Sequence, residues 1–158
     1  MQEFLANNAQ MIIFVHVLSA MIWVGGMIAI RVAVHPTMQS IQESQIKLGK
    51  TLIIMKRLFN LVMPFIALLL ITAVIMVLGF KFEGTMSSIS HAKEAIWTTM
   101  TINYGYMYYK RHQAERLFNQ GKLPEAKAQV ANIPNLLLPI NIGLGVVALY
   151  LGVILRGL

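Results

Sequence analysis

Long uncharged apolar stretches dominate the pattern of positions along the chain. Residues 11–30, 61–79 and 136–155 contain no Asp, Glu, Lys or Arg, and each is about long enough to cross the hydrocarbon core of a bilayer as a helix. A fourth uncharged stretch, AIWTTMTINYGYMYY, is shorter and contains Thr, Asn and Tyr, which lipid cannot satisfy. The pattern predicts four membrane-spanning helices, at about residues 8–34, 55–80, 91–110 and 133–156.

The links between these stretches carry helical patterns of their own. Residues 35–50 are polar but keep apolar positions at helical spacing, which predicts an interfacial helical extension. Residues 110–130 are charged and contain one glycine and one proline, which predicts two short surface helices. The predicted fold class is therefore all-α: one domain of 158 residues, folded as an antiparallel bundle of four transmembrane helices with short interfacial helices in the links.

Composition excludes most soluble classes. Hydrophobic residues make up 57% of the chain and charged residues only 12%, against about one quarter charged in an ordinary soluble domain. The chain has no cysteine, which excludes disulfides, thiolate metal sites, iron–sulfur clusters and covalent haem attachment. Any metal must therefore be bound by His, Met, Tyr or a carboxylate.

Basic residues give the net charge of +7 and concentrate in two of the links. By the positive-inside rule these links lie in the cytoplasm, so we expect a multi-pass protein of a bacterial inner (cytoplasmic) membrane with both termini outside. The bilayer is the expected partner, and nucleic acid is not, because flanking basic residues are typical of topological anchors beside anionic lipid. Ten of the thirteen basic residues lie at these links: Arg31, Lys47, Lys50, Lys56, Arg57, Lys110, Arg111, Arg116, Lys122 and Lys127.

One ionisable side chain lies inside the first apolar stretch. His16 is costly at that depth unless it is paired or ligating. In an antiparallel bundle His91, at the start of the third span, is level with His16, so the two imidazoles could bind one metal between the helices. Such a pair suits b-type haem, and imidazole also suits copper. A hydrogen-bonded structural His16 and a water-facing His91 are the alternatives.

Other residues near these histidines suit a cofactor. Trp23 and Gly26 follow the first histidine within three turns, and glycine allows a flat macrocycle or another helix to approach the backbone. Lys93 and Arg31 are cations that could bind a propionate or a substrate carboxylate. Plain helix packing explains Trp23 and Gly26 equally well, and Lys93 could instead pair with Glu94.

These motifs resemble those of a known family. HVLSAMIWVGGMIAIRVAVHP, which begins at His16, resembles the first helix of the HemJ-type protoporphyrinogen oxidases and of the related CopD copper-resistance membrane domain. MKRLFNLVMPF is similar to the second helix, the HAK of His91 to Lys93 to the opening of the third, and ANIPNLL to the start of the last. By this resemblance, His16 corresponds to the first-helix histidine of the family and Lys93 to its third-helix lysine.

The resemblance also implies a cofactor and an activity. The HemJ branch implies b-type haem in a four-helix unit, and the CopD branch implies membrane copper handling. Where the HemJ-type third helix has a Tyr-His pair, this chain has Asn103 and Tyr104, with His112 two turns later. Tyr104 is accordingly the candidate that joins Lys93 in a catalytic role.

Our hypothesis is a small membrane redox protein that binds haem b through His16, with His91 opposite. It would exchange electrons with a membrane-soluble partner such as a quinone or a porphyrinogen, and an enzyme of this kind would be a porphyrinogen oxidase. A homo-oligomer is compatible with this hypothesis. A copper-binding or copper-uptake protein and a cofactor-free structural subunit are the alternatives.

Overall fold

A computed structural model describes residues 2–79 and 85–155 of the protein, with side chains for residues 7–79 and 86–155. This described part contains helices and no strand. Two five-residue π-helical turns, Ile30–Val34 and Ile133–Leu137, precede α2 and α6. The α-helices are α1 (Gln2–Ala29), α2 (His35–Gln39), α3 (Ser44–Gly79), α4 (Thr85–Asn119), α5 (Leu123–Val130) and α6 (Leu138–Leu155).

Three helical stretches are long and apolar enough to cross a membrane: Asn7–Gln39, Ser44–Gly79 and Leu123–Leu155. They contain the three uncharged stretches of the sequence, so the prediction of an all-α chain with membrane-length helices is confirmed. The fourth long helix, α4, is more polar and is not among the three. A fourth membrane crossing at residues 91–110 stays a prediction.

The third predicted span is longer than its uncharged stretch. We expected two short surface helices in residues 110–130, and this is wrong for the first of them, because α4 continues to Asn119. Beyond Lys110, Arg111 and Ala114 are buried and continue the inward face of Met107. The buried face of α4 therefore continues beyond the apolar stretch, and packing along this face stabilises the longer helix. The second expected short helix is present as α5, and α2 is a short helix in the first link.

The four long helices form a ring. α1 packs against α3 and α6, and α4 packs against α6, α3 and α5, so α1 and α4 lie diagonally. Aromatic side chains fill the centre between them. The Trp23 ring meets Tyr104 edge-on with 6.2 Å between ring centroids, and Phe59 meets Tyr104 with 5.4 Å between centroids. α1 and α6 approach closely at Gly145, where a Cβ atom would lie 2.5 Å from Val24 Cγ2.

Each π-helical turn ends two residues before a proline. The His35 N–H bonds to the Ile30 carbonyl before Pro36, and the Leu138 N–H bonds to the Ile133 carbonyl before Pro139. Proline has no N–H, and its ring clashes with the carbonyl four residues earlier, so a wider turn relieves the clash without ending the helix. The chain therefore stays helical through Pro36.

Candidate functional site

The candidate site is built around His16, which lies half-buried on α1. Its Nδ1 atom is 2.8 Å from Thr72 Oγ1 on α3. Thr72 is buried, and its hydroxyl donates to the backbone carbonyl of Leu68 or Leu69, at 2.7 and 3.1 Å. The single hydroxyl proton is therefore committed to the α3 backbone, as is common for threonine inside a helix.

This bonding pattern assigns the tautomer of His16. Because Thr72 Oγ1 has already donated its proton, it can only accept from His16, so Nδ1 carries the imidazole proton. The lone pair of a neutral His16 is then on Nε2. Imidazoles that bind metals are typically oriented in this way, with one nitrogen hydrogen-bonded to the protein and the other one ligating.

Lys93 brings a positive charge to the same region from α4. Its side chain is half-buried, and it acts electrostatically on His16. Lys93 Nζ lies 3.1 Å from the position that a Cβ atom on Gly152 of α6 would occupy, so the absence of a side chain at Gly152 makes room for the ammonium group. With His16 and Thr72, this arrangement draws on all four long helices. A half-buried imidazole and a half-buried ammonium that interact electrostatically suit an anionic ligand.

Trp97 adds a hydrogen-bond donor one turn further along α4. Residues four apart share a helix face, so Trp97 follows Lys93 on the same side of the helix. Its indole Nε1 atom is buried and has no acceptor among the residues that the structure describes. A buried N–H without a partner is expensive, and a bound carboxylate or carbonyl group could satisfy it.

His91 faces away from this arrangement. Its side chain is 74% exposed, and its Nδ1 atom is 3.3 Å from Glu94 Oε2 one turn later on α4. Glu94 was also the alternative partner considered for Lys93, and the structure pairs it with His91 instead. The geometry therefore gives no support to a metal shared by His16 and His91.

Three other predicted site residues contribute to the bundle core. Trp23 and Tyr104 are buried against each other, and the Tyr104 hydroxyl donates to the Phe59 carbonyl at 2.6 Å. A Cβ atom at Gly26 would lie 3.0 Å from Leu58 Cδ1, so Gly26 brings α1 close to α3. The contacts that these three residues make in the structure are packing contacts within the bundle. A role at a cofactor for Trp23 and Gly26 stays a prediction, as does a catalytic role for Tyr104.

Arg31 belongs to the other end of the bundle. It is half-exposed in the first π-helical turn, 15 residues beyond His16 and so about 22 Å away along the helix axis. It cannot contact a small ligand held by His16 and Lys93.

Polar residues to which the sequence analysis gave no role in the interior join the helices there. Asn141, which is fully buried, accepts from Asn103 Nδ2 at 2.7 Å and donates to the Met100 carbonyl at 3.1 Å. Arg111, only 2% exposed, lies 2.8 Å from Glu115 Oε1 and donates from Nε to the Leu52 carbonyl. Thr72 was missed as well. The sequence feature that could have identified Asn141 and Arg111 is an amide or a cation among apolar residues on one face of a helix.

Within residues 2–79 and 85–155, no group of three or more His, Cys, Asp or Glu side chains is placed to bind a metal ion. No protein-family model, curated protein or solved structure matches the chain. Any function must therefore be argued from the site itself.

Proposed function

We propose that the protein is a small integral membrane redox protein in which His16 ligates a b-type haem. The observation that carries this proposal is the hydrogen bond of His16, an imidazole within an apolar membrane-length helix. Its Nδ1 atom bonds to Thr72, so Nε2 is the nitrogen that would ligate. A haem iron needs only one or two axial side chains from the protein. Haem is therefore compatible with a chain that has no cysteine and whose described residues contain no cluster of three or more His, Asp or Glu side chains placed to bind a metal.

The surrounding residues have roles that suit this cofactor. Thr72 fixes the imidazole plane, and Gly152 leaves room for the Lys93 ammonium. Lys93 is suited to bind a propionate or a substrate carboxylate, and the buried Trp97 N–H is a second donor. A haem iron bound there would supply one-electron transfer.

The expected partner is a hydrophobic electron donor or acceptor, such as a quinone or a porphyrinogen, that reaches the site through the bilayer. Porphyrinogen oxidation of the HemJ type is the enzymatic form of the proposal. Two residues that match the family motifs support this form, namely the first-helix histidine and the third-helix lysine. Tyr104 adds no support, because its hydroxyl group donates to a backbone carbonyl in the bundle core. The proposed location is a bacterial inner membrane, and three membrane-length helices support a membrane location.

The first test is the haem content of protein purified from haem-sufficient cells. We expect a Soret band in the parent and loss of most of it in His16→Ala. His112→Ala is the matched control, because His112 is an exposed histidine on α4 at the opposite end of the bundle. His91→Ala separates ligation by His16 alone from the paired model, since only the paired model predicts a shift toward five-coordinate, high-spin iron.

Two results would overturn the assignment. A parent protein without a Soret band under these conditions contradicts haem binding, and copper found by metal analysis of the same sample would favour the CopD-like alternative. A parent and a His16→Ala variant with equal haem content would show that another residue is the ligand.

A further inference from the structure

A second feature lies next to the first link, on the outer surface between the first helical stretch and α3. It is an open groove of about 320 Å³. Apart from one arginine, its lining is apolar. One wall is formed by Gly26, Ile30 and Val34, and the other by Ile54, Arg57 and Leu61.

The local backbone explains why a groove exists here. Ile30 and Val34 begin and end the first π-helical turn, whose wider backbone alters how α1 packs on α3. At the other end of the groove Gly26 brings α1 close to α3, where Leu58 packs against it. From Gly26 to Val34 the groove follows the helix for about 12 Å. This length suits several methylene groups of an extended chain.

Arg57 differs from the other cations nearby because it lines the groove. Lys56 and Arg111 both reach the Glu115 carboxylate, at 3.5 and 2.8 Å. Arg57 is exposed and has no acidic partner among the described residues, although it lines an apolar groove. An unpaired guanidinium there complements an anion, and its planar set of N–H donors fits two oxygens of a phosphate.

The surface around the groove is apolar. Ile53 and Leu61 are large apolar side chains that are substantially exposed. A water-soluble phosphate would gain nothing from such surroundings, whereas a lipid would bury its chain against them. Charge and apolar surface together therefore favour an occupant that comes from the bilayer.

We propose that this groove binds one anionic glycerophospholipid from the leaflet that faces the basic links. The phosphate pairs with Arg57, and the first part of an acyl chain lies between Ile30 and Leu61 toward Gly26. This inference rests on the membrane location proposed above, but it is independent of haem and of His16.

The test compares lipid retention after purification in mild detergent, read by native mass spectrometry with equal amounts of phosphatidylglycerol and phosphatidylcholine supplied. We expect the parent to retain phosphatidylglycerol preferentially. Arg57→Gln should reduce that preference at least about fivefold, the usual effect of one cation at an anionic surface. Lys50→Gln is the matched control, since Lys50 is exposed on the same helix, loses the same charge and does not line the groove.

A second variant tests the apolar part of the groove. Ala29 is exposed and also lines it, so Ala29→Phe should fill the groove without removing charge. We expect it to reduce retention of both lipids while Arg57 still favours the anionic one. Circular dichroism of each variant checks that the helices are intact.

Equal losses in Arg57→Gln and Lys50→Gln would show diffuse attraction to basic residues and would overturn the proposal, as would a parent without preference. Membrane fractionation before purification distinguishes failure of the lipid-site proposal from failure of the proposed membrane location. A protein absent from the membrane fraction contradicts the proposed location, whereas a membrane protein without the preference contradicts only the lipid site.

Discussion

The hydrogen bond between His16 and Thr72 gives the most direct prediction. Thr72→Val keeps the shape of the buried side chain and removes the acceptor of the His16 Nδ1 proton. The imidazole then loses the bond that fixes its plane. Removing such an outer-shell partner typically weakens metal affinity about 10–100-fold, which corresponds to about 1.4–2.7 kcal/mol. The cost in folding stability should be smaller, about 0.6 kcal/mol and at most about 1.7 kcal/mol, as for other hydrogen bonds within membrane proteins.

Haem titration of the apoprotein, followed by the Soret band, measures the affinity, and unfolding in mixed micelles measures the stability. The control is Thr101→Val, because the half-buried Thr101 donates its hydroxyl to the Trp97 carbonyl of its own helix and to no other helix. We expect its haem affinity to stay within about twofold of the parent. If Thr72→Val binds haem as tightly as the parent while His16→Ala does not, the role assigned to Thr72 is refuted.

Three further predictions concern the rest of the bundle. Asn103→Leu and Asn141→Leu, combined in a double-mutant cycle, should give a coupling energy of about 0.6–1.7 kcal/mol in mixed-micelle unfolding, and additive effects would contradict the 2.7 Å bond between them. Burial raises the pKa of Glu115, but the hydrogen bond and charge of Arg111 outweigh it and hold that pKa below its usual value near 4.5. The carboxylate therefore stabilises the fold above pH 4.5, and this stability is lost as the pH falls through the lowered pKa. Glu115→Gln should reduce the free energy of unfolding by about 2 kcal/mol at neutral pH and remove this acid dependence. A variant whose stability falls with pH as that of the parent does would contradict this prediction. A reporter fused after Leu158 should be active only as a periplasmic type, and activity of a cytoplasmic type alone would reverse the orientation.

The helices could be predicted from the sequence where apolar residues form long uninterrupted stretches. The prediction was wrong after Lys110, because a charged residue was taken as the start of a surface segment. Arg111 is nevertheless buried, since its donors meet Glu115 one turn later and the carbonyl of Leu52, which is 59 residues away in sequence. A pairing at that separation leaves no local pattern. The widened turns before Pro36 and Pro139 were missed because a proline alone does not distinguish a helix end from a π-helical turn.

At the candidate site, sequence could identify a residue but not its partner. His16 stands out as an ionisable group among apolar neighbours. Thr72 does not stand out, because a threonine in a membrane helix is ordinarily satisfied by its own backbone. Helix rotation was the second unknown. Residues two apart on a helix point about 200° apart, so His91 and Lys93 cannot both face the interior. The structure turns Lys93 inward and His91 toward Glu94.

The two π-helical turns also bear on insertions and deletions in this chain. Elsewhere in a long helix, deleting one residue rotates everything beyond it by about 100° and exposes the buried face. A π-helical turn holds one residue more than an α-helical turn, so removing one residue from Ile30–Val34 or Ile133–Leu137 can restore regular α-helix while both flanking faces keep their orientation. Within the long helices that the structure describes, these are the two places where the length of the chain could change by one residue with the bundle preserved.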